Sequence, residues 1–460
     1  MSEGNVAVID IGKTNAKLAL VRPSDLSEIA VITRPNRVLC GPPYPHFDVE
    51  GHWAFLLEGL SRFNADHGVK AISITTHGAA GAMLAADGTL AAPILDYEHN
   101  GPDGCAAAYD PIRPEFVETG SPRLSMGLNL GAQLHWQLDR DPGLRERVAH
   151  VVTYPQFWAH RLTGQLATDV TSLGCHTDLW NPYEAGFSSL PARLGIADKI
   201  APPRKPGDIL GPILPEIAKR TGLRPDTPVC CGIHDSNASL LSHLVTRKPP
   251  FSVVSTGTWV IVMGVGGAQV TLNPALDTLM NVNAFGNAVP SARFMGGREH
   301  DMALGGSFAD PSTADLFDVL SGGTMLLPAL VPETGPFAGM TSHWRGTEPP
   351  LGSGQRSAAV AFYLALVTTR CLGLVGHKGP VIVEGPFARN KAYLWMLAAA
   401  TDQQVIAMEG STGTAQGAAL LCAPQTAPHQ AMTATPTAKA ALQALMGRYA
   451  QDWTAETQHA

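Results

Sequence analysis

Two segments of the chain share one pattern, in which a short apolar run ends at a glycine-containing turn and a second apolar run follows. The first segment spans residues 6–21, with Gly12 in its turn, and the second spans residues 251–264, with Gly257 in its turn. Apolar runs rich in β-branched residues that meet at such a turn predict β-hairpins. The hairpins lie about half a chain length apart, which suggests two related halves, although two short matches leave a duplication open.

Between and after the hairpins, helical and strand-like periods alternate along the chain, which predicts an α/β fold. We expect helices over residues 52–67, 131–139, 215–221, 357–374 and 390–401, and strands at residues 71–75, 150–153, 228–231 and 380–383. Consecutive prolines within residues 246–250 stop helix and strand alike and divide the chain into domains 1–245 and 246–460. Residues 423–436 are expected to form a loop before a last helix over 437–449.

Composition and charge exclude several classes of protein. The chain has 460 residues, with 32 basic and 39 acidic side chains and a net charge of −7, which disfavours a nucleic-acid-binding surface. Its start lacks the features of a secretory signal, and the longest apolar stretch, residues 358–367, is too short to span a membrane. The seven cysteines are odd in number and scattered, which predicts reduced thiols in a cytoplasmic protein.

The first hairpin carries side chains suited to phosphate. Asp10 ends a strand and could hold a hydrated Mg²⁺ that bridges phosphate oxygens. Backbone N–H groups of a glycine turn, together with ammonium groups, can surround phosphate oxygens. The residues of this candidate turn are Gly12, Lys13, Thr14, Asn15 and Lys17. An ordinary hairpin turn, for which glycine and asparagine are common, is the alternative interpretation.

A second candidate lies at the end of a buried-looking strand at residues 229–231. This strand ends in Gly232, and Asp235, after His234, stands at the start of an apparent helix. A carboxylate in this position could accept the proton of a hydroxyl as the hydroxyl attacks phosphorus. Capping of the helix by Asp235 is the competing and commoner role.

The second half offers two further turns and one charged cluster. Residues 255–259 form the turn of the second hairpin, and residues 383–390 connect a strand to a helix through Gly385, where the backbone could approach a flat heterocycle closely. Residues 409–420 are glycine-rich and could be a close-packed helix. The charged residues 298–301 are expected to be a solvated loop without an assigned role.

The order of these segments resembles the FGGY family of carbohydrate kinases, and two further stretches, residues 71–88 and 161–169, are similar to that family as well. The resemblance implies an actin-like ATPase fold with two ribonuclease-H-like domains and a cleft between them. It also implies an enzyme that transfers phosphate from ATP to a sugar. By this resemblance the first domain would hold most of the sugar and the second most of the ATP.

The resemblance assigns roles to individual residues. Asp235 would be the catalytic base, and Asp10 and Asp235 would be associated with Mg²⁺. The turn from Gly12 to Lys17 would be the first phosphate loop. The second phosphate loop would contain Thr256, Gly257 and Thr258, and the adenosine would lie near Gly385, Pro386, Phe387 and Asn390. Sugar contacts would come from His77, Gly78, Glu98, His234 and Asp235.

Several positions depart from the pattern of the family. Pro386 stands where a glycine is usual and removes one N–H donor, which puts the nucleotide pose in doubt. Lys13 replaces a small residue and could add a phosphate contact or crowd the loop. Gln133 replaces a lysine, and Glu98 replaces an aspartate. Residues 75–80 lack both acids that rhamnulokinases have in a similar stretch.

A ketose such as L-fuculose or L-rhamnulose is the substrate class that the resemblance favours. One alternative is a catalytically weak, nucleotide-binding regulatory or sugar-sensing protein of the same fold. Another is an ATPase that acts on protein partners. The expected partner is a small-molecule sugar, with neither nucleic acid nor membrane as a partner. The oligomeric state stays open, a homodimer included.

Overall fold

The computed structural model describes residues 4–408, 413–423, 432–434 and 440–458. The chain forms two compact units that interleave in sequence. The first consists of Met1–Arg247, Met280–Ala288 and Thr412–His429, and the second of Lys248–Leu279, Val289–Ser411 and Gln430–Ala460. The predicted domains, 1–245 and 246–460, divide the chain once, whereas two later segments return to the first unit.

The first unit is built on a sheet with the order β13-β14-β6-β1-β2-β3, in which β15 also pairs with β6. Its strands are β1 (Asn5–Ile11), β2 (Asn15–Val21), β3 (Glu28–Pro35), β4 (Val38–Leu39), β5 (His46–Phe47), β6 (Val69–Thr76), β7 (Gly81–Leu84), β8 (His150–Thr153), β9 (Thr168–Asp169), β10 (Trp180–Asn181), β11 (Gly186–Phe187), β12 (Pro203–Arg204), β13 (Ile209–Pro212), β14 (Pro228–Cys230) and β15 (Ile233–His234). Its helices are α1 (Val49–His67), α2 (Ala106–Tyr109), α3 (Phe116–Thr119), α4 (Leu130–Arg140), α5 (Leu144–Arg147), α6 (Tyr154–Thr163), α7 (Val170–Leu173), α8 (Leu190–Arg193), α9 (Pro215–Thr221) and α10 (Asp235–Thr246).

The second unit contains a sheet that runs β19-β17-β16-β22-β23-β24. The later strands of the chain are β16 (Phe251–Thr256), β17 (Val260–Val265), β18 (Thr278–Val282), β19 (Ala288–Phe294), β20 (Met325–Leu327), β21 (His343–Arg345), β22 (Val381–Glu384), β23 (Val405–Met408) and β24 (Met432–Ala434). The later helices are α11 (Gly296–Leu304), α12 (Thr313–Gly322), α13 (Gly354–Leu374), α14 (Lys391–Thr401), α15 (Thr414–Leu420) and α16 (Ala440–Gln458). Helix α15 belongs to the first unit, where it packs beside α10 and β1.

Both units repeat one arrangement of strands, which confirms the two related halves. In the first unit β1 pairs antiparallel with β2, β2 pairs antiparallel with β3, and β1 pairs parallel with β6. In the second unit β16 pairs antiparallel with β17, β17 pairs antiparallel with β19, and β16 pairs parallel with β22. Each hairpin therefore opens its own α/β unit, and each unit has its own apolar core.

Parallel pairing positions the candidate chemistry of the first unit at one edge of its sheet. In the register of β1 and β6, Asp10 lies opposite Thr75, and in that of β15 and β6, His234 lies opposite Thr76. Because parallel strands end at the same edge, Asp10, near the end of β1, and His77 and Asp235, just after β6 and β15, all lie at that edge. Residues that are far apart in sequence are thus brought together.

Most expected elements are confirmed, and the differences lie near the carboxyl terminus. Helix α13 is long and apolar enough to cross a membrane by length and composition, but 78% of its most apolar stretch is buried, as in a core helix. The expected loop at residues 423–436 lies partly outside the described residues, and within it Met432–Ala434 is a strand paired with β23. Helix α16 runs to Gln458, beyond the predicted end at residue 449.

Candidate functional site

The first glycine turn connects β1 to β2 and is closed by backbone and side-chain hydrogen bonds. The N–H of Gly12 donates to the carbonyl oxygen of Asn15 at 2.9 Å. The side-chain amide of Asn36 donates to the carbonyl oxygen of Gly12 at 2.8 Å, and the N–H of Asn36 donates to that of Thr14 at 2.9 Å. Lys17, opposite Asp10 in the hairpin, pairs with Glu28 at 2.7 Å. The candidate phosphate turn is therefore a tightly supported structure.

Asp10 lies at the end of β1 in a largely buried position. Its Oδ2 accepts a hydrogen bond of 2.6 Å from the hydroxyl of Thr414, which is the first residue of α15. Burial, and to a lesser extent the negative charge of Asp235, raise the pKa of Asp10 to about 6. A raised pKa of this kind marks a carboxylate that a nearby cation would stabilise.

Asp235 is the first residue of α10, and the residue that caps this helix is His234. Asp235 Oδ1 lies 2.6 Å from the N–H of Ser236 and 3.2 Å from Nε2 of His234. Burial raises the pKa of Asp235, whereas His77 opposes this shift. The side chain keeps 30% of its exposure, so a ligand can reach it. The competing N-cap role is thus wrong, and the carboxylate is available for other chemistry.

His77 lies in an aromatic enclosure beside Asp235. The ring centroids of Phe47, Tyr97 and Tyr154 lie 5.1, 5.2 and 5.1 Å from that of His77. Its Nδ1 lies 2.8 Å from the carbonyl oxygen of Gly78, whereas its buried Nε2 has no hydrogen-bond partner among the described residues. Burial lowers the pKa of His77 to about 4, so the ring is neutral at physiological pH. A neutral imidazole with one unused nitrogen can bind a hydroxyl group.

The side chain of Lys13, which belongs to the glycine turn, joins a cluster of acidic and aromatic side chains. Its Nζ pairs closely with Asp96, lies 3.1 Å from Glu98, and lies 4.7 Å from the ring centroid of Tyr97. The sequence predicts Lys13 in the phosphate loop and Glu98 in the sugar site, and the structure pairs the two residues. Asp96, which the sequence analysis did not select, has the more buried of the two carboxylates.

A chain of hydrogen bonds behind Asp235 was not visible in the sequence. The N–H of His234 donates to the hydroxyl of Thr171 at 3.0 Å, and that hydroxyl bonds in turn to the carboxylate of Asp169. Gly78 also lies close by, because a Cβ atom there would meet Nε2 of His234 at 2.7 Å. The backbone next to the candidate base is therefore held by Thr171 of α7, and Gly78 leaves room for the ring of His234.

Gln133 has a structural position in the first unit. It is buried in α4, and its side-chain amide donates to the carbonyl oxygens of Ala79, at 2.6 Å, and of Gly127. The residue that departs from the lysine of the family therefore ties α4 to the segment after His77.

In the second unit the two predicted turns meet. The hydroxyl of Thr256 accepts a hydrogen bond of 3.1 Å from the N–H of Phe387 and donates to the carbonyl oxygen of Glu384. Gly385 has a φ of 80°, and a Cβ atom there would overlap the carbonyl oxygen of Thr256. Only glycine fits this close approach of two backbone segments. Sequence reasoning therefore selected two turns that are in direct contact.

A large cavity of about 1540 Å³ opens beside these turns. Its lining includes Gly257, Thr258, Pro386, Phe387, Asn390 and His300. The rings of His300 and Phe387 lie 5.9 Å apart. Asn390 accepts a hydrogen bond from the N–H of Tyr393 at 3.1 Å and so begins α14. The cavity is large enough for a nucleotide and has aromatic and polar groups on its wall.

The charged cluster at residues 298–301 is helical, and the expectation of a solvated loop is wrong. These residues form part of α11, and Glu299 is only 2% exposed. Its Oε2 accepts a hydrogen bond of 2.9 Å from the hydroxyl of Tyr363, and Oε1 accepts one of 3.3 Å from the N–H of Val331. Burial raises the pKa of Glu299 to about 7. Glu299 therefore anchors α11, whose other charged residues line the cavity. Its burial was not evident from the sequence, because the neighbouring residues are also polar or charged.

A metal ion would have to be held by few protein groups. Among the described residues, no three His, Cys, Asp or Glu side chains form a cluster suited to a metal ion. Mg²⁺ bound with a nucleotide commonly uses only one or two carboxylates, with water and phosphate oxygens as the other ligands. Asp10 and Asp235, whose charges influence each other, fit this mode of binding.

Comparisons with known proteins agree with the fold. The model of the N-terminal domain of the FGGY family of carbohydrate kinases matches residues 6–242, and that of the carbohydrate kinase FGGY C-terminal domain matches residues 248–431. A carbohydrate kinase from Novosphingobium aromaticivorans is 36% identical, with a TM-score of 0.91 and full coverage of both chains. A gluconate kinase from Lactobacillus acidophilus has the same fold at 16% identity, with a TM-score of 0.79 over 100% of this chain and 98% of that one.

The curated relatives match over a shorter stretch. An L-fuculokinase from Salmonella typhi is 25% identical over 274 residues, which is 57% of this chain and 57% of that protein. The chain thus spans little more than half the length of this relative in the alignment. The two family models together cover nearly the whole chain, and the order of the two matched domains agrees with the two units of the structure. The chain belongs to the FGGY family of carbohydrate kinases, which have an actin-like ATPase fold.

Proposed function

We propose that the protein transfers the γ-phosphoryl group of ATP to a hydroxyl group of a neutral sugar, with Asp235 as the general base. A ketose such as L-fuculose or L-rhamnulose is the substrate class that we favour. The observation that carries the proposal is that an accessible carboxylate, Asp235, and an imidazole with an unused Nε2, His77, lie at one edge of the sheet and influence each other electrostatically. The similarity to L-fuculokinases over part of the chain supports the choice of sugar.

The proposed base has the properties that proton transfer requires. Burial raises the pKa of Asp235, which makes its carboxylate a better proton acceptor than an exposed aspartate. His77 is neutral, so it can bind a second hydroxyl of the sugar without adding a positive charge to the site. Gly78 and His234 line the same region, and the hydrogen bond from His234 to Thr171 fixes the backbone before the base.

Phosphate oxygens are proposed to bind to the turn of residues 12–15 and, in the second unit, to that of Thr256, Gly257 and Thr258. Mg²⁺, held by Asp10 with Asp235 nearby, would neutralise charge on the transferred group. Asp10 is suited to this role because its raised pKa reflects a buried carboxylate that lacks a fully compensating cation. Lys17 lies opposite Asp10 and adds positive charge near the turn.

Charge in the proposed sugar site favours a neutral substrate over a sugar acid. Asp235, Asp96 and Glu98 are acidic, and the ammonium group of Lys13 already pairs with the last two. A carboxylate on the substrate would meet this negative field without a new cation to pair with, because His77 is neutral. We therefore propose that Lys13 supports sugar recognition and that gluconate is a poor substrate, unlike in the gluconate kinase of the same fold.

The cavity of the second unit is the proposed binding site for adenosine. Its size and the aromatic ring of Phe387 suit a flat base, and Asn390 and Pro386 lie along the same wall. The proline removes one possible N–H donor, but the turn is held through Thr256 without it.

At the level of the sequence we keep the proposed division into domains 1–245 and 246–460. The seven cysteines carry thiols rather than disulfides, which supports a reducing compartment such as the cytoplasm.

The test is release of ADP from Mg-ATP with a panel of ketoses, aldoses, polyols and gluconate, beside a blank without sugar. We expect turnover with one or a few neutral sugars, little with gluconate and little in the blank. Equal hydrolysis with and without sugars would instead support an ATPase. ATP binding without turnover on any sugar would contradict the proposal and support the regulatory alternative.

A further inference from the structure

A second set of side chains holds the first glycine turn from outside. Asn36 follows β3 and donates two hydrogen bonds to the turn, one from its side-chain amide to the carbonyl oxygen of Gly12 and one from its backbone N–H to that of Thr14. Asn36 is only 8% exposed, so water does not readily replace these bonds. The orientation of the turn therefore depends on the orientation of the Asn36 amide.

The Asn36 amide is in turn held by a buried histidine. Nε2 of His52, in α1, lies 2.7 Å from Oδ1 of Asn36, and Nδ1 of His52 lies 2.8 Å from a guanidinium nitrogen of Arg34. Arg34 also pairs with Asp48, the residue that caps α1. His52 is fully buried, and burial with the charge of Arg34 lowers its pKa to about 4.

These bonds can run in only one direction. The guanidinium of Arg34 has no acceptor, so Nδ1 of His52 must accept and Nε2 must carry the proton. Nε2–H then donates to Oδ1 of Asn36, which leaves the NH₂ group of Asn36 to donate to Gly12. A donor chain from Arg34 through His52 to Asn36 thus selects the amide orientation that fits the turn.

We propose that His52 and Asn36 are positioning residues that aim the backbone N–H of Lys13 at the phosphate oxygens of the nucleotide. The inference rests on the proposed function. The peptide unit is planar and trans, so the carbonyl group of Gly12 and the N–H of Lys13 point in opposite directions. The bond that fixes this carbonyl on Asn36 therefore directs the following N–H to the other side of the turn. Preorganised donors of this kind bind phosphate without the cost of ordering the loop.

The experiment compares Asn36→Asp and His52→Phe with a conservative His52→Gln variant in the full-length protein. Aspartate keeps the acceptor for His52 but cannot donate to Gly12, and glutamine can both accept from Arg34 and donate to Asn36. Asn64→Asp is the matched control, because the Asn64 amide, also in α1, donates to the carbonyl oxygen of Gly222 and not to the glycine turn. Affinity for a non-hydrolysable Mg-ATP analogue is measured by calorimetry, and the Michaelis constants for ATP and sugar are measured where turnover exists.

We expect Asn36→Asp and His52→Phe to weaken nucleotide binding roughly tenfold, which is the effect of losing one well-placed hydrogen bond. The Michaelis constant for sugar should be unchanged. His52→Gln and Asn64→Asp should bind as the wild type does. A folded Asn36→Asp protein with wild-type nucleotide affinity would overturn the inference, as would an equal loss in Asn64→Asp. Because calorimetry needs no sugar, a wild-type protein that binds nucleotide but phosphorylates no sugar would reject the proposed function alone.

Discussion

The two glycine turns have the same place in their units but are supported in different ways. The first turn is held by Asn36, whose side-chain amide donates to the carbonyl oxygen of Gly12 and whose backbone N–H donates to that of Thr14. The second is held by the hydroxyl of Thr256, which bonds to Phe387 and Glu384, and also by close backbone contact, because a Cβ atom at Gly385 would overlap the carbonyl oxygen of Thr256. A shared hairpin topology therefore does not imply a shared means of support. The first turn should be sensitive to hydrogen-bond donors and the second to added atoms.

The largest effect is expected for Asp235→Asn, which removes the proposed base of the first unit. The amide keeps the shape of the side chain but cannot accept the proton of the sugar hydroxyl. We expect kcat to fall by about 10²–10⁴-fold, with sugar affinity largely retained. Steady-state kinetics and sugar binding by calorimetry measure both quantities, and Ser239→Ala, one turn further along α10, is the control. Wild-type turnover in Asp235→Asn would remove this residue as the base.

The difference in support between the turns is tested most directly by adding a methyl group to a glycine in each turn. Gly385→Ala would force a Cβ atom against Thr256 at a positive φ and should cost about 2 kcal/mol or more of unfolding free energy. At Gly257 the nearest atom to a new Cβ is the carbonyl oxygen of Trp259, at 3.8 Å, so Gly257→Ala should be tolerated. At Gly12 the nearest atom to a new Cβ, the carbonyl oxygen of Asn15, is 3.3 Å away. The loss of unfolding free energy in Gly12→Ala should therefore lie between those of Gly385→Ala and Gly257→Ala.

Denaturant unfolding of these three variants measures their unfolding free energies and so gives the order of their stabilities. Equal stability of Gly385→Ala and Gly257→Ala would contradict the account of the second turn. A Gly12→Ala variant less stable than Gly385→Ala would contradict the assigned difference between the two turns.

Glu299→Gln should stabilise the second unit in a pH-dependent way. The folded-state pKa of about 7 lies above the ordinary value of 4.5, so the folded protein binds more protons between these pH values. The contribution of Glu299 to stability is therefore lost as pH rises through 7, and glutamine avoids this loss. Denaturant unfolding should show a gain of about 3 kcal/mol at pH 8.5 and less than about 1 kcal/mol at pH 5. A gain that is independent of pH would contradict burial of the charge as its cause.

The smallest predicted effect separates the two possible roles of Lys13. Because its ammonium group pairs with Asp96 and Glu98, Lys13→Ala should raise the Michaelis constant for sugar several-fold and leave that for ATP nearly unchanged. Lys17→Ala is the comparison, since Lys17 lies in the same hairpin but pairs with Glu28. A larger change for ATP than for sugar in Lys13→Ala would return Lys13 to the phosphate loop.

The sequence predicted the fold well because hairpins, alternating helices and strands, and ordered turns are local patterns. Helix α9 and strand β8 were predicted to the residue, and the family resemblance selected the turns at residues 256–258 and 385–387, whose direct contact only the structure shows. The support of these turns was not predicted, because Asn36 and His52 reach Gly12 only after the sheet has formed. Glu299 was missed for a related reason, since its charged neighbours concealed a buried position.

The return of α15 to the first unit is the other feature that local patterns could not show. Thr414 follows Asp10 by about 400 residues and still donates a hydrogen bond to it. Such a contact depends on the path of the chain between the units. Sequence periodicity gives no information on that path.

The central claim is tested most directly by following the phosphoryl group itself. The protein is incubated with ATP labelled with ³²P at the γ-position and with each neutral ketose, and the label is separated into sugar phosphate, inorganic phosphate and ATP. The account predicts label in a sugar phosphate for the wild type and its loss in Asp235→Asn. Label that appears only as inorganic phosphate, or a sugar phosphate formed equally by both proteins, would contradict it.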